Sequence, residues 1–214
     1  MIYQTEINTC LLQKEDELMV VPVGISNHHV HLTEEHIEVL FGKGAKLHPV
    51  KPLSQPGQFA SQETVQVVGH KGSIDKVRVL GPARVQSQIE LSQTDARLLG
   101  LTALLRYSGN LEGTTGAVLV GPKGFVILEK GVIVAKSHIH LSTAEAKARG
   151  IEDHDLLDIY VEGDGKSGCI FNILARVGDT HALDLHLDTD EANAFALNND
   201  SKALIIKIKK PDSI

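Results

Sequence analysis

Two short histidine motifs are the stretches of this chain best suited to bind a metal ion. One pairs His29 with His31 and the other pairs His138 with His140. On an extended strand this spacing places both imidazoles of a pair on the same face, where they can share one ion. Each motif is followed by Leu and then by a hydroxyl residue. The shared continuation indicates two related halves, each building a metal site.

The same continuation occurs at two further positions, which adds a third ligand to each pair. In all four segments a possible ligand ends a strand, a Leu enters a core, and a capping residue begins a short helix. The four segments are His31-Leu-Thr, His140-Leu-Ser, Glu90-Leu-Ser and His186-Leu-Asp. Three imidazole or carboxylate ligands per site is the set that catalytic zinc centres commonly use. The sequence therefore predicts one centre with a carboxylate and another with three imidazoles, meeting at an interface between the halves.

Capping residues and turn signals predict the elements that carry these ligands. Helices are expected after Thr33, Ser92, Ser142 and Asp188, the third with a capping box formed with Glu145. Short apolar runs bounded by Gly and Pro predict strands at 20–26, 64–68, 76–80, 85–91, 117–120, 125–128, 131–135, 156–161, 168–175, 182–187 and 203–208. The 19 glycines and 4% aromatic residues are also typical of a β-rich fold with many tight turns. We expect a mostly β protein with short α-helices, arranged as a small barrel or sandwich.

Composition narrows the classes of function. A formal charge of −6 argues against a nucleic-acid binder, and no apolar run is long enough to span a bilayer. Two scattered cysteines, Cys10 and Cys169, and the lack of a signal-peptide pattern predict a cytoplasmic protein. Residues 1–19 fit either an arm or short helix, or a targeting segment that docks inside an enzyme compartment.

Five segments together resemble the PduL-type phosphotransacylases, also called phosphate propanoyltransferases. They are 23–32, 53–60, 71–84, 135–141 and 187–193. The resemblance implies reversible transfer of a short acyl group, propionyl or acetyl, between coenzyme A and phosphate. It also implies two β-barrels with a dinuclear zinc site between them, in a homodimer. In such a protein the first barrel would comprise 20–27 with 136–210, the second 28–135, and 1–19 would form an arm or short helix.

The resemblance also implies roles for single residues. His29, His31 and Glu90 would bind one Zn²⁺, and His138, His140 and His186 the other. Arg84 would bind phosphate and act in catalysis, because a guanidinium fork suits a tetrahedral oxyanion. The coenzyme A contacts would be Ser26, Asn27, His28, Lys71, Arg78 and Asn193, although the family more often has Arg in place of His28. A location in the cytoplasm or in a bacterial microcompartment, with shell or cargo proteins as partners, follows from the same resemblance.

Other interpretations stay open at this point. Arg106 and Glu112 repeat the spacing of Arg84 and Glu90, which makes them a competing pair. A cupin-like protein would use His29, His31 and Glu35, but Glu35 follows the predicted helix start at Thr33. A non-catalytic metal-binding β-domain that serves as an assembly partner is the third possibility. No motif indicates which acyl group a transacylase would prefer.

Overall fold

The computed structural model describes residues 19–210, which divide into two compact units. Within these residues, unit I comprises 19–24, 137–186 and 192–210, and unit II comprises 25–136 and 187–191. The predicted N-terminal segment 1–19 lies outside the described residues, apart from Met19. The barrel boundaries implied by the resemblance stay a prediction.

Strands dominate both units. They are β1 (Val20–Ser26), β2 (His29–His31), β3 (Pro49–Pro52), β4 (Phe59–Val68), β5 (Ser73–Gly81), β6 (Gln88–Glu90), β7 (Leu104–Arg106), β8 (Thr115–Val120), β9 (Phe125–Ala135), β10 (His138–Leu141), β11 (Leu156–Glu162), β12 (Ser167–Val177), β13 (Asp184–Asp188) and β14 (Lys202–Lys209). The helices are α1 (Glu34–Phe41), α2 (Gln93–Leu99), α3 (Thr143–Arg149) and α4 (Thr189–Ala194). The prediction of a mostly β fold with short helices is confirmed.

Unit I is a closed barrel of six strands in the order β1-β13-β10-β12-β11-β14. Antiparallel pairing of β1 with β14, where Val20 lies opposite Leu204, closes the ring. Alternate residues of each strand point inward, so that Ile139, Leu157 and Leu185 are fully buried. The histidines on either side of Ile139 therefore lie on the other face of β10.

Unit II contains a second six-stranded ring. Its sheet runs β3-β4-β5-β2-β6-β9-β7, and β8 joins β4 to β9. The closed ring is therefore β4-β5-β2-β6-β9-β8, while β3 and β7 extend it as additional strands. Val30, Val79 and Ile89 belong to its fully buried core.

The two rings have the same pairing scheme. The first histidine strand, β2, is parallel to β5 and antiparallel to β6. The second, β10, is parallel to β12 and antiparallel to β13. The structure thus confirms the internal repeat. In each repeat the chain passes from one unit to the other shortly before the histidine motif, near the end of β1 in the first repeat and between β9 and β10 in the second.

The predicted helix caps are present. The side chains of Thr33 and Ser92 accept hydrogen bonds from the first turns of α1 and α2, and Ser142 forms the capping box with Glu145. Gly100 adopts a left-handed conformation with φ 69° at the end of α2, which a residue with a Cβ adopts only at a cost. The capping residues predicted from the sequence therefore begin these helices as expected.

Three predicted strands differ from the structure. The run 85–91 forms a strand only over Gln88–Glu90, and Val85 is 98% exposed in the loop before it. That loop is held instead by the Arg84 amide, which donates to the Leu32 carbonyl. The runs 125–128 and 131–135 are one strand that continues through Gly131 at φ 124°. None of the helices within 19–210 is long and apolar enough to cross a membrane.

Truncating a core side chain of unit I is expected to destabilise the protein. Leu157 is fully buried on β11, between β12 and β14, so Leu157→Ala should lower the free energy of unfolding by about 2–5 kcal/mol. Ile206→Ala is the matched control, since Ile206 is 38% exposed, and it should cost much less. Urea denaturation of the full chain measures both, and equal losses would contradict this assignment of the core.

Candidate metal centres

The unit II group consists of His29, His31 and Glu90. The antiparallel register of β2 and β6 sets Glu90 directly opposite His29. One ligand atom of each residue lies within 4.8 Å of the other two. Nε2 of His29 is 3.5 Å from one Glu90 oxygen, and Nε2 of His31 is 3.7 Å from the other. Strand pairing alone therefore assembles the three residues that the sequence predicts as one site.

A backbone contact fixes the orientation of His29. Its Nδ1–H donates to the Asn27 carbonyl over 2.8 Å, which leaves Nε2 as the ring nitrogen that faces Glu90. A hydrogen bond at the far nitrogen is how metal-ligating imidazoles are usually held in one tautomer. The contact was absent from the sequence prediction, because no linear pattern marks a carbonyl as an acceptor.

The charge states of this group suit metal binding. Burial, followed by the charges of His29 and Arg84, lowers the pKa of His31 to about 3. Burial alone would raise the pKa of Glu90, but the charges of His29 and His31 and a hydrogen bond from Ser108 hold that pKa well below its usual range. His31 is therefore neutral and Glu90 ionised at neutral pH. These are the forms of the two residues that bind a cation. Burial lowers the pKa of His29, but the charge and hydrogen bond of Glu90 outweigh burial and raise that pKa, so a bound metal ion would displace the His29 proton.

The unit I group consists of His138, His140 and His186. His186 lies opposite His138 in the register of β10 and β13, the position that Glu90 occupies in unit II. Ligand atoms of the three lie within 4.8 Å of one another, and Nε2 of His138 is 3.1 Å from Nε2 of His140. The structure assembles the predicted set here as well.

The environment of His140 favours a metal over a purely structural role. Burial, followed by the charges of His138 and His186, lowers the pKa of His140 to about 2. Its Nδ1 is buried and makes no hydrogen bond to any of residues 19–210. Three clustered imidazoles cannot satisfy one another as protonated groups, whereas a Zn²⁺ ion accepts neutral imidazole nitrogens readily. The donor sets of both groups fit zinc.

Arg84 is connected to the unit II group through Ser108. The Arg84 guanidinium donates to the Ser108 hydroxyl over 3.1 Å, and that hydroxyl donates to Glu90 over 3.0 Å. Gln88 also donates to Ser108, over 2.9 Å, while the Gly109 amide donates to Gln88 over 2.7 Å. Two acceptor lone pairs and one proton on the hydroxyl serve all three side chains at once.

Ser108 and Gln88 were missing from the predicted site. Ser108 lies in the segment 106–116, which contains three glycines and carries none of the ligand patterns described above. Beside Arg84 is a cavity of about 260 Å³, lined also by Pro56, Gly57, Gln58, Gly81 and Pro82. The segments 53–60 and 71–84, which carry part of the family resemblance, thus meet at this cavity.

The competing residues make contacts of their own. Glu112 is 91% exposed on its side chain and pairs with Lys130 at 3.6 Å. Arg106 donates to the neighbouring Leu105 carbonyl. Glu35 is exposed on α1 and does not continue the histidine strand, as a cupin-like site would require.

The residues predicted to contact coenzyme A occupy several elements. His28 lies 3.0 Å from Asp95 on α2, and the Lys71 amide donates to the Leu99 carbonyl at the end of the same helix. Arg78 donates to the carbonyls of Ser61 and Gln62. Ser26 ends β1, the Asn27 side chain accepts from the His28 amide, and Asn193 lies on α4 in unit I. Their roles stay a prediction.

The fold and the two groups define a class: a protein of two six-stranded barrels, each with three donor residues close enough together to hold a metal ion. The model of the phosphate propanoyltransferase family matches residues 22–198. The chain belongs to that family, and it is therefore an acyltransferase.

Several curated relatives are similar to this chain over most of their length. A phosphate propanoyltransferase of Thermotoga maritima is 48% identical over 197 residues, which are 92% of each chain. That of Leptotrichia buccalis is 49% identical over 85% of this chain and 84% of its own. That of Salmonella typhimurium is 47% identical over 84% of this chain and 85% of its own.

Removing the unit II carboxylate should remove one metal ion. Glu90→Gln is expected to lower the zinc content from two ions per chain to one, because a neutral amide oxygen replaces an anionic ligand. Glu112→Gln is the matched control and should retain both ions. Elemental analysis of the purified, dialysed proteins measures the content, and loss of zinc from the control alone would reverse the assignment.

Proposed function

We propose that this chain catalyses the reversible reaction of a short-chain acyl-CoA, propionyl- or acetyl-CoA, with inorganic phosphate. The products are an acyl phosphate and coenzyme A. The observation that carries the proposal is the hydrogen-bonded connection from Arg84 through Ser108 to Glu90, in a member of the phosphate propanoyltransferase family. It couples an anion-binding guanidinium to a metal-binding carboxylate.

Arg84 is the residue we assign to phosphate. Its planar fork of N–H donors matches two oxygens of a tetrahedral anion. Ser108 holds the guanidinium at the edge of the cavity that Gly57 and Gln58 also line. A phosphate bound there would enter the reaction already oriented, which lowers the entropic part of the barrier.

We assign one Zn²⁺ to each unit. His29, His31 and Glu90 would hold the ion of unit II, and His138, His140 and His186 that of unit I. When bound, zinc supplies Lewis-acid stabilisation for negative charge on carbonyl or phosphoryl oxygens. The lowered pKa values of His31 and His140 keep both imidazoles neutral and able to bind.

The acyl group would pass directly from sulfur to oxygen. A phosphate oxygen attacks the thioester carbonyl carbon, a C–O bond forms, the C–S bond breaks, and coenzyme A leaves as the thiolate. A covalent acyl-enzyme is disfavoured because Cys169 is exposed on β12 and no base accompanies it in the sequence. Intersecting lines in initial-velocity plots would accord with this direct route, and parallel lines would contradict it.

Coenzyme A would be bound by Ser26, Asn27, His28, Lys71, Arg78 and Asn193. Support comes from unit II, where the His28 side chain lies 3.0 Å from Asp95 and the Lys71 backbone amide donates to the Leu99 carbonyl, so that both residues lie beside α2. We further propose a homodimer, in the cytoplasm or in a bacterial microcompartment with shell or cargo proteins as partners.

Phosphate should be required for thioester loss. The metal-replete protein is expected to release coenzyme A from acetyl-, propionyl- or butyryl-CoA only when phosphate is present. Thiol release and hydroxamate formation from the acyl phosphate measure the two products, and the three substrates rank the acyl preference. Absence of phosphate-dependent release from all three would refute the proposed function.

Loss of the Arg84 guanidinium should weaken phosphate use specifically. Arg84→Lys keeps the charge but loses the bidentate fork, so kcat/KM for phosphate should fall about 10- to 100-fold, as loss of a charged hydrogen bond of about 1.5–3 kcal/mol requires. The KM for acyl-CoA should change little. Arg106→Lys serves as the matched control, and an equal fall in that variant would remove Arg84 from this role.

A further inference from the structure

Ser87 is a buried hydroxyl residue to which neither the sequence prediction nor the proposed function assigns a role. It ends the Arg84 loop, residues 82–87, which joins β5 to β6, and it is 7% exposed. Its hydroxyl accepts a hydrogen bond from the Thr33 amide over 3.0 Å. A second hydrogen bond, of 2.7 Å, joins the same hydroxyl to Nδ1 of His36. The end of the loop is therefore held against the first turn of α1.

The Arg84 loop is held at a second point by its backbone. The Arg84 amide donates to the Leu32 carbonyl over 2.8 Å. Only Val85 and Gln86 lie between the two attached residues, and both are exposed to solvent. The partners of the two attachments, Leu32 and Thr33, are successive residues between β2 and α1. A short loop held at both ends has few accessible conformations, which limits the directions in which Arg84 can point.

The corresponding loop of unit I has the same backbone attachment but a different side-chain attachment. The Gly178 amide donates to the Leu141 carbonyl over 3.0 Å, where Leu141 follows the second histidine pair as Leu32 follows the first. The side-chain attachment there is an exposed hydrogen bond from the Thr143 hydroxyl to Asp179. The buried hydroxyl thus accompanies the loop that carries an arginine, whereas the loop that carries a glycine at this position is held at the surface.

We propose that Ser87 is a positioning residue for phosphate binding, with His36 as its partner. Its hydroxyl holds the Arg84 loop against α1 and so sets the place from which Arg84 extends its guanidinium. Ser108 holds the guanidinium itself, so the two serine hydroxyls fix the two ends of one residue. A binding group that is already oriented loses less conformational entropy when it takes up its ligand. The inference rests on the assignment of Arg84 to phosphate in the proposed function.

The test begins with Ser87→Ala in the full chain, which removes both hydrogen bonds and alters no assigned ligand. It is expected to raise the KM for phosphate about 3- to 10-fold, the effect of losing one or two ordinary hydrogen bonds, and to leave the KM for acyl-CoA unchanged. Ser87→Thr keeps the hydroxyl and should restore the KM for phosphate. His36→Ala removes one of the two hydrogen bonds and should raise that KM by a smaller factor.

A double-mutant cycle shows whether Ser87 acts through Arg84. In the Arg84→Lys background, Ser87→Ala should raise the KM for phosphate by a smaller factor than in the unmodified chain, because the bidentate fork that Ser87 directs is gone. Independent residues would instead give additive effects on the free energy. The same factor in both backgrounds would overturn the inference.

Thr114→Val is the matched control. Thr114 is also 7% exposed in unit II, and its hydroxyl also makes two hydrogen bonds, one from the Gly131 amide and one to the Leu111 carbonyl. Its loss should lower stability but leave the KM for phosphate unchanged. Thermal unfolding identifies any variant that does not fold, and if Ser87→Ala is one of them, His36→Ala decides the question.

Equilibrium binding of inorganic phosphate, measured by calorimetry, separates this inference from the proposed function. If Ser87→Ala weakens phosphate binding and Ser87→Thr does not, but the unmodified chain releases no coenzyme A, this inference stands and the proposed function fails. If the unmodified chain is active and Ser87→Ala matches the control in affinity and KM for phosphate, only this inference fails. A chain that neither binds phosphate nor releases coenzyme A overturns both.

Discussion

The antiparallel pairing of each histidine strand with a short ligand strand is the constraint on which both candidate centres depend. An i, i+2 pair of histidines has a fixed direction only when the strand has a fixed register, since a shift of one residue would turn both imidazoles into the barrel. In unit II the register sets Glu90 opposite His29, and in unit I it sets His186 opposite His138. Buried residues between the histidines, Val30 and Ile139, hold that register by occupying the two cores.

The duplicated frame separates what is shared from what has diverged. Strand order, the parallel partner of each histidine strand and the capped helix that follows are common to the two units. The charged groups around the ligands differ. Unit II adds Arg84 through Ser108, whereas unit I adds Asp184 beside His186. Equivalent scaffolds thus present two candidate centres with different donor sets, and under the proposed function one of them would lie beside the residue that holds the anion.

Much of this could be read from the sequence because the relevant signals are local. The ligand, Leu and cap pattern predicted both ligand sets, since a strand end and a helix start fix where one side chain points. Ser108 and Ser87 could not be found this way. Ser108 matters through contacts with Gln88 and Arg84, about 20 positions away in the chain. Ser87 matters through contacts with Thr33 and His36, which are 54 and 51 positions away. The strand before each histidine motif pairs into the ring that contains the other motif: β1 joins the ring of unit I and β9 joins that of unit II. This arrangement follows from strand pairing, and only the family resemblance predicted it, for β1.

Under the proposed function, metal held by these two groups would enable phosphate to accept the acyl group. This role of the metal can be tested by titrating the metal-depleted chain with zinc and following acyl phosphate formation at each addition. We expect no activity without metal and a rise that reaches its plateau at two zinc ions per chain. Full activity in the metal-depleted protein, or thioester loss without acyl phosphate at any zinc level, would contradict it.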